Sequence, residues 1–131
     1  MVVVFGSINV DLVMRVPHHP APGETLIADA FHVSAGGKGA NQAVAAARMG
    51  GRVSMYGAVG ADAYGAEIRN NLVDKGVNDS GVRTICGSVT GCATISGERA
   101  GRHWLRGSPG ANTLATAASA PGDAWAPAPG A

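Results

Sequence analysis

The sequence is poor in cysteine, in aromatic residues and in charge. Cys86 and Cys92 are the only cysteines, without the spacing of a zinc site or a paired framework. A disulfide scaffold is excluded on that count, a reducing cytoplasmic setting is expected, and both thiols read as small buried hydrophobes. Charged residues make up 15% of the chain and the formal net charge is +1, with no extended basic run, so no nucleic-acid or membrane partner is expected. No apolar run approaches the ~18 residues of a membrane helix. The apolar start at residues 1–5 lacks a basic flank and does not read as a signal peptide. His18, His19, His32 and His103 have no metal-ligand spacing, so no metal site is expected and they read as surface histidines. Arg99, Arg102 and Arg106 read as a solvated face. Aromatic residues are only 5% of the chain, which leaves much of the packing to small side chains.

What is present suits a folded core. The chain has 131 residues, 46% of them hydrophobic, enough for one domain or part of a larger one. It holds 20 glycines and 7 prolines, and the glycines have no three-residue period, which excludes collagen. Residues 2–5 are a β-branched apolar run, expected as a buried, central parallel strand. An extended pattern continues from Ile8 to Val16, and residues 18–24 form a proline-rich connector. Residues 25–33 alternate and predict one or two short strands. After a glycine cluster, residues 40–49 predict a helix that Gly50-Gly51 ends. Residues 52–59 predict a strand. Asp62 predicts the N-cap of a second helix with Tyr64, Ile68 and Leu72 on one stripe, stopped at Gly76. Residues 82–85 and 92–95 predict further strands. This strand–helix alternation predicts an α/β fold with a parallel sheet and both helices on one face. Residues 113–131 are rich in alanine and proline and predict a disordered tail, with a helical turn or two open over 113–120.

Two segments have the make-up of a ligand site. In Gly36-Gly37-Lys38-Gly39-Ala40-Asn41-Gln42-Ala43 the glycines permit close backbone approach, and the following helix directs free N–H groups forward. Lys38 adds charge, and Asn41 adds a donor and an acceptor. The segment lacks the Walker and GxGxxG patterns, and it reads equally as a glycine turn capping an alanine-rich helix. In Gly6-Ser7-Ile8-Asn9-Val10-Asp11, Asn9 and Asp11 alternate, so an extended chain places them on one face. An amide and a carboxylate there suit neighbouring sugar hydroxyls. A turn with local side-chain bonds is the alternative. Gly110-Ala111-Asn112 by itself signals only a turn.

These segments, with Pro22-Gly23-Glu24-Thr25, Gly60-Ala61-Asp62 and Gly65, Thr90-Gly91 and Pro109-Gly110-Ala111-Asn112, occur in one order. The series closely resembles the amino-terminal part of the ribokinase branch of the PfkB family of carbohydrate kinases, over about residues 2–112. The resemblance implies a Rossmann-like ribokinase fold, truncated, with a small β-sheet lid that closes over a ribose-like sugar. By position it makes Asn9, Val10, Asp11, Gly37, Lys38, Gly39, Ala40 and Asn41 substrate-binding residues and Gly36 and Gly37 a hinge. It assigns lid strands to residues 17–33 and 92–105.

The resemblance also implies ATP and Mg2+ as cofactors, but their residues lie in a carboxyl-terminal half whose DTxGAGD segment does not occur here. In the family that segment carries the catalytic base, so no catalytic residue is assigned to this chain. Residues 96–101 are polar and glycine-rich where the family carries strand formers, and the likeness fades after Asn112. The expectation is a ribokinase-like chain that is inactive alone. A non-catalytic sugar-binding or interaction module, or a fragment without function, are the alternatives. The exposed edges of the lid strands leave a homodimer open.

Overall fold

Residues 1–116 are described by the computed structural model. The β-branched run forms β1 (Val2–Phe5), which pairs in parallel with β4 (Val53–Gly60). β4 pairs in parallel with β5 (Val77–Ile85), so the order is β1-β4-β5. α1 (Lys38–Arg48) and α2 (Ala63–Asp74) connect to this sheet and share one core with it. The core joins Ala40 and Ala43 of α1 and Ile68 and Leu72 of α2 to Val53, Met55, Val59, Val77 and Val82. Small side chains let α1 approach closely: a Cβ on Gly39 would stand 2.7 Å from the Gly6 carbonyl carbon. Tyr64, expected on the stripe with Ile68 and Leu72, is 41% exposed.

A second sheet has the order β3-β2-β6-β7. β2 (Asn9–Val16) lies between antiparallel β3 (Ala30–Gly36) and parallel β6 (Gly91–Glu98), and β7 (His103–Ser108) closes it antiparallel to β6. A short 3-10 helix, Gly110–Leu114, returns to β4 and buries Ala111 completely. The chain is thus the α/β arrangement with a small sheet set beside a parallel one.

Several expectations need correction. β1 is parallel but among the described residues it lies at the edge of its sheet, with Val2 39% and Phe5 40% exposed. An apolar run reports burial on its faces and not which neighbours its edges find. The lid strands begin earlier than expected, at Asn9, and residues 17–29 contain none. Pro17, Pro20 and Pro22 lack an N–H and cannot join a ladder. That connector lies over the small sheet instead: the His19 ring stacks on Trp104 at 4.2 Å, and Asp29 pairs with Arg99. β6 runs through Ser96-Gly97-Glu98 despite their polarity, because β2 and β7 flank it on both edges. Cys86 is exposed, since it follows the end of β5; Cys92 is half-buried, and both thiols are free. The turn at Gly110-Ala111-Asn112 is the 3-10 helix, which ends at Leu114; of the helical turns left open over 113–120, residues 117–120 lie outside the described residues. Of the tail expected to be disordered over 113–131, Thr113 and Leu114 belong to the 3-10 helix, and residues 117–131 lie outside the described residues. Among the described residues no helix is long and apolar enough to cross a membrane.

Asp62 fastens the two sheets. Its carboxylate accepts from the Gly65 N–H at 2.8 Å as the N-cap of α2. It also accepts from the Thr90 N–H at 2.8 Å and the Thr90 hydroxyl at 2.6 Å, just before β6. Desolvation pushes this carboxyl up, but the bonds from Thr90 and Gly65 together outweigh it and hold it below its ordinary value. The stability it supplies is therefore full above the unfolded pKa of ~3.9 and is lost as pH falls through the lower folded value. Asp62→Ala removes a cap of about 1 kcal/mol. It also strands the Thr90 N–H at a residue only 3% exposed, at about 1–3 kcal/mol. The expected loss is about 2–4 kcal/mol by urea titration at neutral pH. A loss under ~0.5 kcal/mol would show that Asp62 is no fastening.

Candidate functional site

The chain passes between the sheets at residues 6–8, 36–37, 86–90 and 108–110, and the site lies among these passages. Gly37 has φ +95°, and a Cβ there would stand 2.5 Å from the Ser7 carbonyl oxygen and 2.9 Å from the Asn9 nitrogen. Only glycine lets the second passage run this close to the first. α1 begins at once, and Gly37 has no side chain to cap it. Ser7 does so across the passage: its hydroxyl accepts from the Lys38 N–H at 3.2 Å, and its carbonyl accepts from the Ala40 N–H at 3.1 Å. This corrects the expectation of N–H groups directed freely forward, because two of them are held by Ser7.

Asn9 and Asp11 alternate along β2 and share a face of the small sheet, as their spacing predicts. Their neighbours on that face are small. Asn9 pairs with Gly36 on one side and Gly91 on the other, and Asp11 pairs with Ser34 and Ala93. A Cβ on Gly36 would stand 2.2 Å from an Asp11 carboxylate oxygen. A Cβ on Gly91 would stand 2.5 Å from the Asn9 Oδ1. The two polar side chains thus rest against glycines, Asp11 over Gly36 and Asn9 over Gly91. The half-buried Asp11 carboxylate has no hydrogen bond or ion pair with any described residue, and burial raises its pKa. An acceptor with ionic charge and no internal donor is fitted for a donor from outside.

The other expected site residues are placed less closely together. Val10 is 2% exposed and packs into the core from the opposite face of β2, so its side chain does not join Asn9 and Asp11. Lys38 and Asn41 are exposed on the first turn of α1, and Gly39 and Ala40 are buried beneath them. Asn41 also lines a groove of about 450 Å³ between α1 and α2. Asn112 was read from the sequence as part of a turn and of the motif series, not as a site residue. Its side chain lies beside Asn9 and bonds across 103 residues of chain. Its one local signal, an asparagine within a glycine turn, is common to many loops.

Among the described residues no group of three or more histidine, cysteine, aspartate or glutamate side chains is placed to hold a metal. No phosphoryl-transfer step is derived through the described residues.

Comparison with known proteins gives this geometry a context. The chain is 38% identical to ribokinase of Haemophilus influenzae over 110 residues, covering 84% of this chain and 36% of that one. It is 46% identical to ribokinase of Schizosaccharomyces pombe over 117 residues, covering 85% and 37%. Among solved structures, Arabidopsis thaliana ribokinase complexed with ribose and ATP superposes with a TM-score of 0.78 at 35% identity, covering 85% of this chain and 36% of that one. The chain spans little more than a third of the length of the relatives it matches, in their amino-terminal part. The model of the pfkB family carbohydrate kinases matches residues 1–128, past Asn112, where the likeness was expected to fade. Sequence, fold and family match agree, and the chain belongs to the pfkB family of carbohydrate kinases.

Proposed function

We propose that this chain is the sugar-binding portion of a ribokinase-type kinase, which phosphorylates ribose or a related sugar with ATP, and that alone it transfers no phosphate. The unpartnered Asp11 carboxylate beside Asn9, each over its glycine, carries this reading. A sugar offers hydroxyls that donate to Asp11 and accept from Asn9. Gly36 and Gly91 let the Asp11 carboxylate and the Asn9 amide lie down against the sheet, so that a sugar meets their polar edges and not the sheet itself. Lys38, Gly39, Ala40 and Asn41 border the sugar from the start of α1, and the small sheet closes on it as a lid hinged at Gly36 and Gly37. Closure excludes water and fixes the acceptor hydroxyl, the part of phosphoryl transfer that rests on orientation. ATP with Mg2+ supplies the phosphoryl group, from residues beyond those described.

The edges of the small sheet, β3 and β7, have one partner strand each. Pairing through them is the route we propose to a homodimer. The free thiols of Cys86 and Cys92 suit the cytoplasmic setting we propose.

Titration calorimetry of the purified chain with ribose tests the binding, and incubation with ribose, ATP and Mg2+ tests the chemistry. Ribose bound at millimolar concentration and no ribose phosphate formed is the expected pair of results. No binding of ribose at millimolar concentration removes the sugar role, and ribose phosphate made by this chain alone overturns the division of labour. A binding module that serves no transfer rests on the same Asn9–Asp11 pair. Adding the carboxyl-terminal part of a ribokinase separates the two, since only the kinase portion gains activity.

A further inference from the structure

The Asn112 amide lies against both backbone groups of Ile8. Its Oδ1 accepts from the Ile8 N–H at 2.9 Å, and its Nδ2 donates to the Ile8 carbonyl at 3.1 Å. These partners fix which way the amide faces. Turned over, Nδ2 would meet an N–H and Oδ1 would meet a carbonyl, donor against donor and acceptor against acceptor. The second Nδ2 hydrogen donates to the Asn9 Oδ1 at 2.8 Å. Both Asn112 hydrogens are then committed, so this residue has no donor left for a ligand.

The consequence falls on Asn9. With its oxygen held by Asn112, its NH2 group must face the other way, and no described residue bonds to it. We infer that Asn112 is a positioning residue: it sets the polarity of the Asn9 amide so that the site presents a donor from Asn9 next to an acceptor from Asp11. A ligand group there has to accept from one and donate to the other. Adjacent hydroxyls of a polyol do both, whereas a carboxylate or phosphate ester can only accept and would meet Asp11 with like charge. The inference rests on the sugar-binding reading for its ligand, but the orientation of Asn9 does not.

Gly91 is part of the device. A Cβ at that position would stand 2.2 Å from the Asn112 Nδ2 and 2.5 Å from the Asn9 Oδ1, in the bond between the two amides. That leaves glycine as the residue that permits the contact.

Side-chain amide hydrogen exchange in the isotope-labelled full chain, by NMR without ribose, tests the orientation. The Asn112 NH2 hydrogens should exchange at least about tenfold more slowly than those of Asn9, since the first are bonded and the second are not. In Asn112→Asp the new carboxylate can only accept, so Asn9 turns and donates to it. The Asn9 hydrogens should then become protected and ribose affinity should fall about tenfold or more. A merely structural Asn112 would weaken the fold without reversing the protection of Asn9.

Protected Asn9 hydrogens in the unsubstituted chain, or no change at Asn9 in a folded Asn112→Asp chain, overturn the inference. If Asn112→Asp does not fold, the exchange ranking in the unsubstituted chain decides alone. If that chain shows the expected ranking and binds no ribose, the orientation stands and the sugar reading fails.

Discussion

Asp11→Asn is expected to lower ribose affinity by about 10- to 100-fold and, at neutral pH, to raise the unfolding temperature. The first effect follows from the loss of ionic acceptors, since hydrogen bonds to a charged group contribute about 1.5–3 kcal/mol. The second follows from burial. Burial without a partner puts the folded-state pKa of Asp11 above its unfolded value of ~3.9. The cost of ionising this carboxyl in the folded chain is absent below the unfolded pKa and present in full once pH has risen through the folded one. The neutral amide removes that cost at pH 7. Binding runs the other way along the pH axis. In the proposed site ribose donates to the ionised carboxylate, so affinity should fall as pH drops through the raised pKa, and Asp11→Asn should lose this acid limb. Calorimetry at a series of pH values and thermal unfolding of both chains give the comparison. A variant that is less stable and binds ribose as before would show Asp11 to be structural.

Gly37→Ala is expected to be among the most damaging single-methyl additions in the chain. The backbone at Gly37 has φ +95° and ψ 134°, a conformation costing a side-chain-bearing residue about 1–3 kcal/mol. The added Cβ also meets the Ser7 carbonyl oxygen at 2.5 Å and the Ile8 Cα at 2.9 Å. These are backbone atoms that cannot turn aside, and forcing them apart adds about 1–3 kcal/mol. A total of about 2–6 kcal/mol compares with about 5–15 kcal/mol for a whole domain. The unfolding temperature should fall by about 10 °C or more, or the cooperative transition should vanish. A fall under about 3 °C would mean that the passage at 36–37 yields easily, against the close approach described here.

Legibility in the sequence followed the range of the interaction. Asp62 was readable as an N-cap because a cap spans three residues, and its bond to Gly65 has that span. The common face of Asn9 and Asp11 was readable because strand geometry fixes it within three positions. The second role of Asp62, on Thr90 28 residues away, was not readable. Nor was the role of Asn112, whose partners lie 103 and 104 residues off. The place of β1 at an edge of the described sheet was hidden for a related reason. Side-chain pattern records what lies above and below a strand, and edge or centre depends on backbone partners that any sequence can supply. Resemblance supplied what local pattern did not, since the ordered series of glycine motifs pointed to the family that the family match bears out.

The passages between the two sheets have a mechanical consequence. Adjacent passages are tied to each other: Ser7 to Lys38 and Ala40, Asn112 to Ile8, and Ala111 to Val89 at 2.8 Å. A plate joined to its base at one point can swing, slide and twist. Joined along a row of linked points, it keeps one easy rotation and loses the others. The small sheet is attached in the second way. In the lid closure we propose, that attachment leaves a single angle of travel, and its value would set the distance from Asp11 to the start of α1.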